Sequence, residues 1–93
     1  MPVIEQDVEI VNKFGLHARP AMALVQQAGQ FASTIEIIKE DLTVDAKSIM
    51  SVMRLAATKG TVLSLRADGA DAADAVEALI QLIAGGFGEL EQA

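Results

Sequence analysis

His17 is the only histidine of the chain and stands in the string Gly15-Leu16-His17-Ala18-Arg19-Pro20-Ala21. Pro20 suits the first turn of a helix, where a missing N–H is no loss and a fixed φ fits. Gly15 can make the tight turn that lifts the ring outward. The start of a helix exposes unpaired N–H groups and partial positive charge, the features that hold an anionic group. Imidazole attacks phosphorus through an unprotonated nitrogen, and an unperturbed imidazole, with a pKa of about 6.5, is mostly neutral near pH 7. A helix end contributes only about 0.3–1 kcal/mol to such a charge balance, so activation of the nucleophile is a small gain. The larger gain is in the product. A phosphoryl group brings acceptor oxygens and negative charge, which the Ala18 and Arg19 N–H groups and the Arg19 guanidinium can hold.

Other chemistries lack their residues. The chain has no cysteine, and one histidine with scattered carboxylates does not make a zinc site. No nucleophile-elbow motif accompanies a serine. Gly85-Gly86-Phe87-Gly88 follows a helical stretch instead of preceding one, so it reads as a helix stop and not as a nucleotide loop. No cofactor or metal is expected. Ser48 is a good N-cap, and a phosphate on a serine at that position would be electrostatically tolerated. After it, Ile49, Met50, Val52, Met53 and Leu55 make an unusually apolar short segment. Only one side of it can face a core. Met50 and Met53, with Arg54, fall on the other flank, where adaptable methionines suit a docking surface; the competing reading places these methionines in the core.

The elements that must position these residues follow from periodicity. Val3 to Val11 alternates, with Ile4, Val8 and Ile10 on one side and Glu5, Asp7 and Glu9 on the other, a half-buried strand. Ala18 to Ala28 reads as a helix with Ala21, Leu24, Val25 and Ala28 on its inner stripe and Gly29 as its C-terminal cap. Thr34–Lys39 and Leu42–Asp45 read as a hairpin across Glu40-Asp41, and a short helix runs from Ser48 to about Ala56. A strand spans Thr61 to Ala67, with Leu63 and Leu65 inward, followed by an Asp68-Gly69 turn. Asp71 to about Ala84 is the clearest helix, with Val76, Leu79, Ile80 and Ile83 as its stripe, and residues 89–93 read as a frayed tail. The order β-α-β-β-α-β-α, with one wet strand face, predicts an α+β sandwich: an antiparallel or mixed sheet covered by helices on one side.

A length of 93 residues fits one domain, residues 1–93, large enough to hold a core without disulfides or metals. Hydrophobic residues at 52% exclude intrinsic disorder. No apolar run reaches the roughly 18–20 residues of a membrane span, and no basic-then-apolar leader is present, so a cytoplasmic, membrane-free protein is expected. A net charge of −6 argues against nucleic acid as a partner. The charge is segregated, however. No acidic residue lies between Glu9 and Glu36 or between Asp45 and Asp68, and six of the seven Lys and Arg residues fall in those two stretches. If the stretches meet, the domain carries a neutral-to-basic face on an acidic body, suited to an acidic protein or a phosphoryl group.

Gly15-Leu16-His17-Ala18-Arg19-Pro20-Ala21, together with Lys47-Ser48-Ile49-Met50 at the right separation, resembles the two motifs of the HPr family, the histidine-containing phosphocarriers of the bacterial phosphotransferase system. The resemblance covers essentially the whole chain. It implies an open-faced β-sandwich with a four-stranded antiparallel sheet and three helices on one face. It implies that His17 takes a phosphoryl group on Nδ1 from phosphorylated enzyme I, supplied by phosphoenolpyruvate, and passes it to an EIIA-type acceptor domain, with Arg19 stabilising the group. The protein would then be a monomeric carrier with a covalent phosphohistidine, and not a stand-alone catalyst. Ile49, Met50, Met53 and Arg54 would dock partners. Ser48 matches the position that an ATP-dependent HPr kinase/phosphorylase modifies in part of the family. Met50 stands where sugar-branch relatives often carry an aromatic, and Ala18-Arg19-Pro20-Ala21-Met22 and Gly86-Phe87-Gly88-Glu89 are closer to nitrogen-branch relatives. Two other readings compete: a small binding module whose histidine only caps a helix, and a regulatory module controlled through Ser48.

Overall fold

The computed structural model describes residues 2–89. The elements are β1 (Val3–Glu9), α1 (Ala18–Ala28), β2 (Thr34–Lys39), β3 (Leu42–Asp45), α2 (Ile49–Met53), β4 (Val62–Asp68) and α3 (Ala72–Ala84), followed by a 3-10 turn over Gly86–Gly88. The strands form one antiparallel sheet in the order β1-β4-β2-β3. The expected α+β sandwich is the observed fold.

The alternation in the strands decides which face is covered. Ile35 and Ile37 of β2, Val44 of β3 and Leu63, Leu65 and Ala67 of β4 are buried, and Ile4 and Val8 of β1 pack against them. Leu24 of α1, Val52 of α2 and Val76, Leu79 and Ile83 of α3 close the core from the helical side. Each such side chain contributes about 1.5–3 kcal/mol by leaving water. The opposite face is polar: Ser64 donates to Asp7 (2.6 Å), and Arg66 lies 3.9 Å from Glu36 on the neighbouring strand.

The boundaries differ from the sequence reading in informative places. β1 ends at Glu9, not Val11, because the regular register breaks at Ile10, which faces two residues at once: its N–H donates to the Thr61 carbonyl (2.9 Å) and its carbonyl accepts from Gly60 (2.7 Å). α2 ends at Met53, short of Ala56, since Arg54 and Leu55 bond back three residues and Ala56 adopts a positive φ of 48°. Gly29 does stand at the end of α1, but with φ −65°, so its role there is not a left-handed cap. Asp71 lies just outside α3 and does not cap it. Its carboxylate accepts from the N–H groups of Ala32 (2.8 Å) and Ser33 (2.9 Å) and from the Ser33 hydroxyl, tying the start of α3 to the loop after α1. Those bonds hold the Asp71 carboxyl below its ordinary value. Gly69, at φ 154°, lies so close to Ser33 that a Cβ would collide with it.

Candidate functional site

The loop from Asn12 to Leu16 is locked from two sides. Gly15 has φ 66°, and a Cβ there would sit 2.5 Å from the Ala57 carbonyl oxygen, so only glycine fits. Leu16 donates its N–H to that same Ala57 carbonyl (2.9 Å). Asn12, fully buried, donates from Nδ2 to the Gly15 carbonyl (2.7 Å). The segments around His17 and around Ala57 therefore meet, as the basic-face reading requires, but that face is smaller than expected. Arg66 points to the opposite side of the sheet, and Lys47 spends its ammonium on the Phe31 carbonyl (2.7 Å).

His17 occupies the N-cap position of α1, with extended backbone, and its side chain makes no capping bond. That contradicts the reading in which the histidine only caps a helix. Its carbonyl accepts from Ala21 (3.0 Å), and the N–H groups of Ala18 and Arg19 have no acceptor among the described residues. The ring turns toward the C-terminal end of the chain. Nε2 lies 3.1 and 3.2 Å from the two carboxylate oxygens of Glu89. Asn12 Nδ2 reaches the same carboxylate at 3.0 Å. Both partners of that amide are acceptors, which fixes the orientation of the Asn12 side chain and leaves its Oδ1 buried with no partner among the described residues. Nδ1 has no partner among the described residues. Phe14 stands edge-on to the imidazole, centroids 6.1 Å apart, and Lys13 Nζ lies 5.5 Å from the Phe14 ring.

Glu89 corrects the frayed-tail expectation. It is held by the turn at Gly86–Gly88, with Phe87 at φ 57° and a bond from the Glu89 N–H to the Gly86 carbonyl (2.9 Å). Residues 90–93 of the expected tail lie outside the described residues. Partial burial pushes the Glu89 carboxyl up, but the bonds from His17 and Asn12 and the charges of His17 and Arg19 outweigh it and hold the group below its ordinary value. The site thus contains two residues that the sequence reading missed, Asn12 and Glu89.

Ser48 is the expected N-cap of α2, accepting from the Ser51 N–H at 3.3 Å. Met50 is 77% exposed, and Ile49 and Met53 are also exposed, so the methionines of α2 are not core. Phe14 (69% exposed) and Met22 on the neighbouring α1 extend the same apolar character, and α1 and α2 pack together. In the sequence reading Met22 enters only within the Ala18-Arg19-Pro20-Ala21-Met22 run, Phe14 does not enter, and neither is included in the docking surface. No cluster of potential metal ligands exists among the described residues, and no helix there is long and apolar enough to cross a membrane.

The chain matches the family described as "PTS HPr component phosphorylation site" over residues 4–85, a span that stops short of Glu89. It is 52% identical over 89 residues to the phosphocarrier protein HPr of Neisseria meningitidis, covering 96% of this chain and all of that one. It is 47% identical to the HPr of Cupriavidus necator, with the same coverage. The fold superposes on the crystal structure of HPr-C-His from Thermoanaerobacter tengcongensis with a TM-score of 0.88 at 47% identity, covering 91% of this chain and 96% of that one.

Proposed function

The chain belongs to the HPr family and has the family's phosphocarrier role in the phosphotransferase system; on that premise we propose that His17 is the residue that carries the phosphoryl group, on Nδ1. The observation that carries this reading is the division of labour on the ring. Nε2 faces an acceptor-only carboxylate and so bears the proton. That leaves a lone pair on Nδ1, at a helix start whose Ala18 and Arg19 N–H groups have no acceptor among the described residues. Phosphorus enters as Nδ1 donates its pair and the bond to the donor breaks, the donor keeping its electrons. The incoming oxygens meet those N–H groups and the Arg19 guanidinium, the arrangement that favours an anion.

Family membership implies phosphotransferase-system partners such as enzyme I and EIIA. In the proposed sequence, phospho-enzyme I loads His17 and an EIIA-type domain unloads it, in sugar transport or nitrogen-branch regulation, in the cytoplasm. Ile49, Met50, Met53 and Arg54 form the docking surface. A monomer is supported by a core that closes within one chain, its largest buried side chains at most 1% exposed.

The test is labelling with phosphoenolpyruvate and enzyme I. Wild type should take up one phosphoryl group that is acid-labile and base-stable, and His17→Ala should take up none. Retained labelling in His17→Ala removes His17 as the carrier.

A further inference from the structure

We infer that Glu89 sets the lability of the phosphoryl group on His17 by holding the proton on Nε2. The inference rests on His17 as the carrier and adds a residue that lies beyond the family match. Glu89 is well placed for such a role. Its side chain is 12% exposed against 42% for His17, so the contact is made from a sheltered position. The carboxylate accepts from buried Asn12 through Oε1, one of the oxygens that face the ring, and the Gly86–Gly88 turn holds the Glu89 backbone. Because a carboxylate only accepts, both of its contacts with Nε2 require the ring proton to be there.

That proton matters more after loading than before. When the neutral ring attacks through Nδ1, the product is a phosphoimidazolium with Nε2 still protonated. In the reverse sense, breaking the N–P bond returns the electron pair to Nδ1. From the protonated ring this releases neutral imidazole, a good leaving group. From a ring that has lost the Nε2 proton it would release an imidazolate, a far poorer one. Glu89 favours the protonated form and so keeps the phosphoryl group transferable. The charged groups of the site are Glu89 against the ring, Arg19 on α1, whose charge acts on the Glu89 carboxylate, and Lys13 on the preceding loop, whose ammonium lies 5.5 Å from the Phe14 ring. Glu89 is the only carboxylate in contact with the imidazole among the described residues.

Phosphorylated wild type, Glu89→Gln and Glu89→Asp, each loaded with phosphoenolpyruvate and excess enzyme I and then purified, are compared by release of inorganic phosphate between about pH 5 and 9. Glu89→Gln keeps an acceptor of similar shape and removes the charge. Its release profile should move toward acid by about half a pH unit, an approximately threefold slower release on the sloping limb, the size of a partly exposed charge pair. Glu89→Asp should fall between the two. Superimposable profiles overturn the inference. So does a change in rate that is uniform across pH, which would mark simple repulsion of the phosphoryl group by the carboxylate. Failure of Glu89→Gln to load overturns it too, since the charge would then be needed for uptake itself. If wild type fails to load, or His17→Ala loads as wild type does, the carrier assignment fails instead, and these outcomes are read separately.

Discussion

At the scale of single residues the site divides into a part written in one string and a part assembled by the fold. His17 and Arg19 stand two positions apart at a helix start, so their chemistry was readable from local order alone. Glu89 reaches the same ring across 72 positions of sequence, and it does so only because Phe87 accepts a left-handed backbone between two glycines. Asn12 follows the strand read from the sequence as one polar residue among others, and only the fold buries it, between the Gly15 carbonyl and the Glu89 carboxylate. Nothing in residue type or spacing encodes either event. Arg19 gives the residue-scale prediction. Its side chain is exposed, so Arg19→Ala should change stability by no more than about 0.5 kcal/mol. Loss of charge-assisted bonds to the phosphoryl oxygens should slow transfer by about tenfold or more. Arg19→Lys should recover only part of this, because an ammonium lacks the planar fork. Rapid-quench transfer kinetics beside urea unfolding separate the two effects, and equal losses in both would make Arg19 structural.

At the scale of elements, α1, β2 and β3 have the bounds read from the sequence because turn residues or Gly29 follow each of them. α2 does not, and the reason is physical. Arg54, Leu55 and Ala56 are adequate helix formers, yet Leu55 is drawn into the core and the backbone tightens and reverses to deliver the Ala57 carbonyl to Leu16. Two predictions belong here. Ser48→Ala should cost somewhat less than the typical ~1 kcal/mol for a lost N-cap, because the helix is short and the bond is long. Thermal unfolding measures it, with loading of His17 from enzyme I as a control that should survive. Asp71 carries the second. Its carboxyl is held low in the folded protein by Ser33 and Ala32, so the stability it contributes is present above its unfolded value and disappears as pH falls through the folded one. The stability gap between wild type and Asp71→Asn should therefore be wide near neutrality and narrow markedly below about pH 3.8. Urea titrations at pH 7 and in strong acid give the comparison, and a gap independent of pH would mean the hydrogen bonds act without the charge.

At the scale of the molecule, the packed helices α1 and α2 and the loop before α1 expose Phe14, Met22, Met50 and Met53, and the exposed cations Lys13, Arg19 and Arg54 stand in or beside the same segments of an acidic chain. The acid-free stretches do meet, where Leu16 bonds to Ala57, although Arg66 and Lys47 are diverted, and Glu89 adds one carboxylate beside His17 that sequence segregation did not anticipate. A face built this way should bind through two separable effects. The exposed methionines bury apolar area, an effect that salt does not screen, whereas Arg54 at the exposed edge attracts through charge, which is screened over about 10 Å at 0.1 M salt. Both substitutions should leave the fold within about 0.5 kcal/mol of wild type, since neither side chain is core. Met50→Ala should raise the KM for loading from enzyme I by about fivefold, as loss of a contributing interface side chain does, and by the same factor at low and high salt. Arg54→Ala should slow loading several-fold at low salt and approach wild type at about 0.5 M salt, because an edge charge acts mainly on the encounter rate. Steady-state loading at the two ionic strengths distinguishes them. A Met50→Ala defect that fades with salt, or an Arg54→Ala defect that does not, would mean that the two residues do not divide the docking face in this way.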